Sequence, residues 1–306
     1  MRSYALKRLF LALLVAIAVS IISFSLLRLT GDAAVAIAGV SASPEAIEAV
    51  RRQYGLDQPL VIQYLAWLGR ALTGDLGVSY FFNTPVVDIL AKHLPVTLFL
   101  GACAIALAIV TAVPLGILSG LRPNSWVDRV ALLIAVAGQA LPSFWLALMF
   151  ILYLGVQLRW LPISGDESWK HFVLPSIVLA YYAMPALMRM TRAGLIEVMG
   201  ADYVRTARAK GLSQTAIVFR HALRNAIIPV VALAAVQFGF MLGGSIVVET
   251  VFALHGVGYL AWESIQRADI PVIQSIVLVM ATIFVGLNLL ADLANALLNP
   301  RLRSGR

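Results

Sequence analysis

Charged side chains are scarce in this sequence, and their scarcity excludes an ordinary soluble domain. Asp, Glu, Lys and Arg together make up 12% of the 306 residues, whereas hydrophobic residues make up 61%. A typical soluble globular domain carries about twice as much charge, roughly 25%. The composition therefore predicts a protein that lies in a lipid bilayer.

Residue patterns that carry chemistry are also missing. The sequence contains no GxxxxGK[ST] phosphate loop, no HExxH metal site and no paired-cysteine motif. Its one cysteine, Cys103, lies in an apolar stretch and permits no internal disulfide. The four histidines lie in four different segments, at His93, His171, His221 and His255. We therefore expect no catalytic residues, no metal site and no cofactor in this chain.

Long apolar stretches dominate what is present. Six stretches lack Asp, Glu, Lys and Arg: residues 9–27, 96–121, 130–158, 172–188, 226–248 and 270–290. A helix needs about 20 residues to cross a hydrocarbon core about 30 Å thick, so five are long enough and 172–188 is at the lower limit. The sequence predicts an all-α membrane protein with six transmembrane helices.

The first stretch has a second interpretation as a cleaved signal peptide, because Arg2, Lys7 and Arg8 precede it and small residues occur at 34–36. We favour a retained helix. The apolar run is longer than a usual signal-peptide core, and Arg28 interrupts it before the small residues.

The basic residues indicate the orientation. If the N-terminus is cytoplasmic, the inside segments hold fifteen of the twenty-three Lys and Arg residues, whereas the outside segments are rich in Asp and Glu. Positive loops stay in the cytoplasm, so both termini are predicted to be cytoplasmic. The net charge of +8 then reflects this bias and attraction to anionic membrane lipid, and no nucleic-acid partner is needed to explain it.

A long external segment, residues 31–94, precedes the second span. Ser43 is a candidate N-cap for a helix that follows it, and residues 59–72 form an amphipathic helix suited to the membrane interface. Ordinary packing of that helix against the ends of other helices fits equally well. We divide the chain into residues 1–94, the first helix with its external amphipathic segment, and residues 95–306, a five-helix core.

Few polar residues lie at bilayer depth. Asn288 and Asp292 share one helix face, and we interpret them as bonds to a neighbouring helix near the cytoplasmic end rather than as a proton relay. An ion-coupled carrier would place more ionisable groups within its spans. Such a carrier is therefore the less favoured interpretation, and a membrane scaffold without a transport role is a third.

One cytoplasmic segment, residues 197–229, is basic and interrupted by glycine. Its residues predict a helix, a turn of positive φ at Gly211 and a second helix that carries Arg220 and Arg224. Such a hairpin could dock into a cleft on a soluble partner, or could lie as a basic loop on anionic lipid. The residues alone favour neither.

Sequence blocks along nearly the whole chain resemble one family, the permease subunits of dipeptide, oligopeptide, nickel and glutathione importers of the ATP-binding-cassette class. The blocks occur in the family's order: GDLGVSY at 74–80, LPVTLFL at 94–100, PSFWLAL at 142–148, WLPISG at 160–165, MTRAGLIEVMGADYVRTARAKGL at 190–212, HALRNAIIP at 221–229, ETVFALHGVGYL at 249–260 and NPRLR at 299–303. The resemblance implies a type I importer permease fold. It also implies that this chain is the B-type member of a pair of different permeases, B and C.

The resemblance also implies sites. The segment 190–212 resembles the EAA loop, which couples permeases to their ATPases, so a coupling hairpin at about 197–226 is expected. Its implied coupling residues are Glu197, Tyr203, Arg205, Thr206, Ala207, Arg208, Lys210, Gly211 and Leu212. An external gate or binding-protein contact is implied at Asp75, His255, Gly256 and Gly258. Many family members have Trp-Pro where this chain has Leu254-His255, which weakens any transfer of external contacts.

The implied partners are a second homologous permease, two ATPase subunits or domains and an external solute-binding protein. ATP and Mg²⁺ would be bound by the ATPase subunits and not by this chain. The implied location is the bacterial inner membrane, and the leading cargo is a small peptide or peptide-like solute. Glutathione, nickel chelates, opines and oligosaccharides stay open, because the binding protein selects the cargo.

Overall fold

The computed structural model describes residues 2–29, 33–39, 42–53 and 55–298. Within these ranges all regular secondary structure is helical, and the only β-type pairing is an isolated bridge between Val78 and Pro85. The predicted all-α class is confirmed for this part of the chain. The block NPRLR at 299–303 lies outside the described residues.

Fourteen α-helices are numbered here in chain order within the described residues. They are α1 Arg2–Leu29, α2 Ala33–Ala38, α3 Pro44–Gln53, α4 Leu60–Leu72, α5 Val86–Leu121, α6 Trp126–Ala140, α7 Ser143–Phe150, α8 Val173–Met199, α9 Asp202–Ala209, α10 Gln214–Ala216, α11 Leu223–Ala226, α12 Ile228–Val251, α13 Val257–Gln266 and α14 Ile270–Leu298. Wider π-helical turns continue α7 over Ile151–Gln157 and join α10 to α11 over Ile217–Ala222.

Five helices of the described residues are long and apolar enough to cross a membrane: Leu6–Ser25, Val86–Leu121, Trp169–Met199, Ile228–Val251 and Ile270–Leu293. The predicted third span, 130–158, is instead divided into α6 and α7. Pro142 has no N–H to donate, and Leu141 before it is extended, with φ −92° and ψ 129°. A count of six spans and the cytoplasmic termini therefore stay predictions.

Helix α5 is longer than predicted. It begins at Val86, ten residues before the uncharged stretch. Asp88 lies in its first turn, and Lys92 and His93 lie within the helix rather than in a loop. Acidic residues are favoured at a helix N-terminus, so these charges fit a helix as well as they fit a connection. The division that we placed between residues 94 and 95 lies inside α5, and as a functional division it stays a prediction.

The core forms where α5 packs against α8. Residues of α5 spaced by four form a buried stripe of mostly small side chains: Leu100, Ala104, Ala108, Ala112, Gly116 and Gly120. Spacing by four keeps these residues on one helix face. Small residues let helix backbones approach closely inside a membrane, where apolar side chains gain little from leaving lipid. Leu187, Met188 and Leu195 of α8 are fully buried in the same region.

Two local predictions for residues 31–94 are confirmed within the described residues. The Ser43 side chain accepts a hydrogen bond from the Ala46 backbone N–H at 3.2 Å, so Ser43 caps α3. The amphipathic helix is α4, and Leu60, Ile62, Leu65 and Leu72 on its apolar face are exposed. Trp67 on the same face packs against Phe24 near the C-terminal end of α1, with 5.9 Å between the ring centroids. Packing against a helix end therefore holds for part of this face, and its place at the membrane interface stays a prediction.

The C-terminal part of α14 bonds to α1. Asp292 pairs with Arg8 at 3.0 Å, as predicted for a contact with a neighbouring helix. Asn288 instead donates from its side-chain amide to the Phe284 carbonyl of its own helix at 2.9 Å, so that half of the prediction is wrong. A polar side chain one turn along its own helix meets a backbone carbonyl without needing a partner helix.

Candidate functional site: the coupling hairpin and the external helix

The basic segment forms the predicted hairpin. Helix α9 ends at Ala209, the chain turns at Gly211 with φ +74°, and the second arm begins at Ser213, whose side chain accepts a hydrogen bond from the Ala216 N–H at 3.3 Å. A Cβ on Gly211 would meet no atom within 4 Å. Glycine is therefore required here for its backbone conformation and not for space.

The interior of the hairpin is a small apolar cluster. Val204, Ala207 and Ile217 are buried together, with Val198 and Met199 packed against them. On the surface, the Asn225 side-chain amide donates to the Tyr203 hydroxyl at 2.9 Å and ties the two arms together. Ala207 and Tyr203 thus hold the hairpin in shape.

The remaining implied coupling residues form an exposed surface. These are Glu197, Arg205, Thr206, Arg208, Lys210, Gly211 and Leu212, and all are exposed. Arg205 lies 3.6 Å from Asp202 in an exposed ion pair, which contributes little to stability. The turn therefore presents three cations and the apolar side chain of Leu212, which is 41% exposed.

The base of the hairpin is packed tightly on the helices of the core. Val218, Ala222 and Ala226 are buried against Leu195 of α8 and Ile117 of α5. The Gly194 backbone lies so close to the hairpin that a Cβ there would be 2.9 Å from the Ala226 carbonyl oxygen. The hairpin is therefore joined to α5 and α8 by well-packed contacts rather than by a loose linker.

A buried ion pair lies near this base. Asp128 of α6 is 2% exposed and receives two hydrogen bonds from Arg192 of α8, each of 2.7 Å. The Ser119 hydroxyl of α5 and the Asn124 backbone N–H also donate to it. The Arg192 guanidinium holds the pKa of the Asp128 carboxyl well below its usual range, despite the opposing effect of burial. This bidentate pair joins α5, α6 and α8.

At the other end of the helices, Glu249 of α12 is fully buried. Its carboxylate accepts hydrogen bonds from the Thr97 hydroxyl at 2.8 Å and from the Tyr259 backbone N–H at 3.0 Å. The Thr97 oxygen in turn accepts from the Val257 N–H at 2.7 Å. Side chains of α5 and α12 therefore cap the first turn of α13.

Gly256 and Gly258 lie where α13 meets α12. Gly256 has φ −91°, and the positive φ in this loop is at Ala253, with φ 49°. A Cβ on Gly256 would lie 2.5 Å from the Thr97 hydroxyl oxygen, and one on Gly258 would lie 2.7 Å from the Ile246 Cα. Both glycines are needed because α13 presses against α12.

The other implied external residues lie around this region without forming one site. His255 precedes α13, lies 3.4 Å from Asp166 and stacks edge-on against Tyr259. Asp75 is in a separate loop, where its carboxylate accepts from the Gly77 N–H at 2.9 Å and lines a cavity of about 520 Å³ beside α4. The structure therefore brings His255, Gly256 and Gly258 together and leaves Asp75 in a separate place.

Several residues that organise these regions were missed from the sequence. Glu249 ends the fifth uncharged stretch, and Asp128 and Arg192 lie near the ends of other stretches, so in the sequence they look like boundary charges. A fourth is Asp269, fully buried, which binds the Ser79 hydroxyl and the Tyr80 N–H. Among the described residues, no group of three or more His, Cys, Asp or Glu side chains is arranged to hold a metal.

Comparison with known protein families decides the assignment. The family described as "Binding-protein-dependent transport system inner membrane component" matches residues 112–304, and the corresponding N-terminal family matches residues 1–101. This chain belongs to that family. It is a permease subunit of an ATP-binding-cassette importer in the bacterial inner membrane, as the sequence blocks predicted.

Relatives resemble the chain over its whole length. The glutathione transport system permease protein GsiC of Escherichia coli O6:H1 (strain CFT073) is 42% identical over 304 residues, covering 99% of each chain. The proteins of the same name from Escherichia coli K12 and Shigella flexneri serotype 5b are 41% identical over the same coverage.

A solved structure shares the fold. A chain of the MetNI methionine ABC transporter, in an inward-facing conformation, aligns with a TM-score of 0.52 and 21% identity. The alignment covers 71% of this chain and 96% of that chain. This chain therefore shares the fold of that transporter chain over the aligned 71% of its length.

Proposed function

We propose that this permease forms half of a translocation pathway and is driven through the hairpin at 197–226 by ATPase subunits. The observation that carries the proposal is the contrast between an exposed, basic turn and a buried base packed on α5 and α8. An exposed turn suits docking, and a rigid base suits the transmission of force. The other half of the pathway is a second, homologous permease, so that six-span subunits with cytoplasmic termini pair in the membrane.

Energy for transport comes from outside the chain in this proposal. Two ATPase subunits or domains bind ATP and Mg²⁺, and their closure moves the hairpin. Helix α12 begins at Ile228, immediately after the hairpin, and α8 ends beside it, so both helices reorient with it. A solute-binding protein delivers the cargo to the external side near α13 and the loop of Asp75.

Two substitutions in the turn test the coupling. Gly211→Val forces a β-branched residue to φ +74°, a strain of about 1–2 kcal/mol, and Arg208→Glu reverses an exposed charge. We expect each to reduce binding-protein-stimulated ATP hydrolysis by the reconstituted complex about tenfold, which corresponds to a loss of about 1.4 kcal/mol in docking of the ATPase subunits. Stimulated hydrolysis and co-purification of the ATPase subunits are the measurements.

Matched controls separate location from chemistry. Gly39→Val imposes the same strain at φ +93° in the external segment, again with no atom within 4 Å, and Arg52→Glu reverses an external arginine that is 76% exposed. Both controls should hydrolyse ATP as the unmodified complex does. Unaltered ATPase association and hydrolysis in Gly211→Val and Arg208→Glu would contradict the proposed role of the hairpin.

For the cargo, we propose a small peptide or peptide-like solute, with glutathione as the first to test. The support is identity of 41–42% over the full length with permeases named for glutathione transport. Nickel chelates, opines and oligosaccharides are the other candidates, because the binding protein rather than the permease captures the solute.

Cargo uptake by proteoliposomes distinguishes these classes and also tests the carrier alternative. We expect labelled glutathione to accumulate only with ATP, the ATPase subunits and the binding protein, and to do so after proton and sodium gradients are dissipated. The α-linked tripeptide Glu-Cys-Gly, which has the same atoms joined differently, shows whether the γ-glutamyl bond is recognised. Uptake that requires an ion gradient and no nucleotide would support a carrier, and no uptake of any peptide would exclude the proposed cargo.

A further inference from the structure

Glu249 lies where three helices meet at the external side. It is on α12, it accepts a hydrogen bond from Thr97 of α5, and it caps α13 through the Tyr259 N–H. Gly256, at the N-cap position of α13, has no side chain with which to cap the helix itself. The start of α13 therefore depends on groups supplied by α5 and α12.

The contact is also sterically tight. A Cβ on Gly258 would lie 2.7 Å from the Ile246 Cα and 2.9 Å from a Glu249 carboxylate oxygen. The backbone of α13 thus touches the backbone of α12 one turn before Glu249. Any displacement of this end of α12 moves the start of α13, because no side chain between them can absorb the change.

The far end of α13 is held as well. Asp269 accepts hydrogen bonds from the backbone N–H groups of Tyr80 and Phe81 at 3.1 and 3.3 Å. The Arg267 guanidinium stacks 3.6 Å from the centre of the Phe81 ring and pairs with Glu263 at 2.7 Å. Helix α13 is consequently fixed at its N-terminus to α12 and at its C-terminus to the external loop before α5.

Helix α12 connects this arrangement to the hairpin. It begins at Ile228, directly after the second arm, and its 24 residues span roughly 36 Å to the Glu249 end. One continuous helix therefore carries the hairpin at its cytoplasmic end and the α13 contact at its external end. On α13, Trp262 and Ile265 are 43% and 60% exposed.

We propose that Glu249, with Thr97, is a positioning residue that transmits the movement of α12 to α13 and so links the hairpin to the external surface that receives the binding protein. The proposal rests on the proposed function, since it needs a hairpin driven by ATPases and a binding protein at α13. Coupling between two sites is reciprocal, so nucleotide should change the affinity for the binding protein through this residue pair.

The test uses the complete complex of both permeases and the ATPase subunits in lipid nanodiscs, with its binding protein. Glu249→Gln replaces one of the two carboxylate oxygens, which accept from the Thr97 hydroxyl and the Tyr259 N–H, by an amide N–H₂ that can only donate. Thr97→Val removes the hydroxyl and keeps the shape of the side chain. We expect basal ATP hydrolysis to persist and stimulation by the binding protein to fall about tenfold in both variants. In the unmodified complex we expect ATP to change the affinity for the binding protein roughly tenfold, within the range usual for coupling. In both variants this change should fall below about twofold.

The chain offers matched controls. Thr111→Val also removes a hydroxyl from α5, but within the described residues that hydroxyl bonds only to the Leu107 and Ala108 carbonyls of its own helix, so stimulation should be unchanged. Thr97→Ser keeps the hydroxyl and should restore stimulation. Where Glu249→Gln yields no folded complex, Thr97→Val decides the question.

The outcomes separate the two proposals. A role in stability alone would reduce basal and stimulated hydrolysis by the same factor and would leave the nucleotide effect on affinity intact, which would overturn the inference about Glu249. Full stimulation in Thr97→Val would overturn it too. Failure of the unmodified complex to respond to any binding protein would contradict the proposed function itself, and the inference with it.

Discussion

Replacing Arg192 by methionine is expected to reduce the free energy of unfolding by about 3–5 kcal/mol, because it leaves a buried carboxylate without its cation. Asp128 is 2% exposed and receives both of its 2.7 Å charged hydrogen bonds from Arg192. Only the Ser119 hydroxyl and the Asn124 N–H would then remain among its identified donors. Methionine keeps much of the apolar stem, so the loss comes from the charge.

The measurement is an unfolding titration in mixed micelles of a mild and a denaturing detergent at pH 7. Asp128 is ionised at this pH, since its pKa is lowered in the folded protein. Its contribution to stability is present at pH values above the pKa of an unfolded Asp, about 3.9, and is lost as the pH falls below that pKa. Arg8→Met, which breaks the more exposed pair with Asp292, should cost below about 1 kcal/mol.

A double-mutant cycle identifies the cause. Arg192→Met combined with Asp128→Leu removes both charges and should recover part of the loss, because the unpaired carboxylate is gone. A single variant Arg192→Met that unfolds with the same free energy as Arg8→Met would contradict this account of the pair.

The parts of the fold that follow from local residues were predictable. Ser43 caps α3 because its side chain meets an N–H three residues later, and Gly211 turns because positive φ suits a residue without a Cβ. Both depend only on neighbours in the chain. The hairpin at 197–226 follows from such signals together with the family blocks.

The parts that depend on tertiary contacts were not predictable. Glu249 and Asp128 look like boundary charges in the sequence, and only the fold shows that Thr97 and Arg192, which are 152 and 64 residues away, complete their hydrogen bonding. Helix α13 was missed because its N-terminus is capped by other helices, so its own residues carry no capping signal. Pro142 itself signals the break, but the uncharged run of residues around it predicts one continuous span.

Gly116→Leu is expected to prevent α5 and α8 from packing, with a loss of about 3 kcal/mol or more. A Cβ at this position would lie 2.6 Å from the Thr191 Cβ and 2.8 Å from the Met188 carbonyl oxygen, so the obstruction includes backbone that cannot rotate away. The helices would have to separate along the stripe of small residues that defines the core. Loss of that contact also disturbs the base on which the hairpin packs, because Val113 of α5 packs against both the core and that base.

The matched control is Gly286→Leu in α14, where a Cβ would meet no atom within 4 Å. It adds the same side chain to a membrane helix and should leave the recovery of monodisperse protein in mild detergent unchanged, whereas Gly116→Leu should reduce that recovery severalfold and lower the thermal midpoint. Gly116→Ala should give an intermediate loss, since its Cβ meets the same atoms with no further bulk. Equal recovery of Gly116→Leu and Gly286→Leu would show that α5 and α8 can move apart without loss of the fold, and that the contact between them does not set the position of the hairpin.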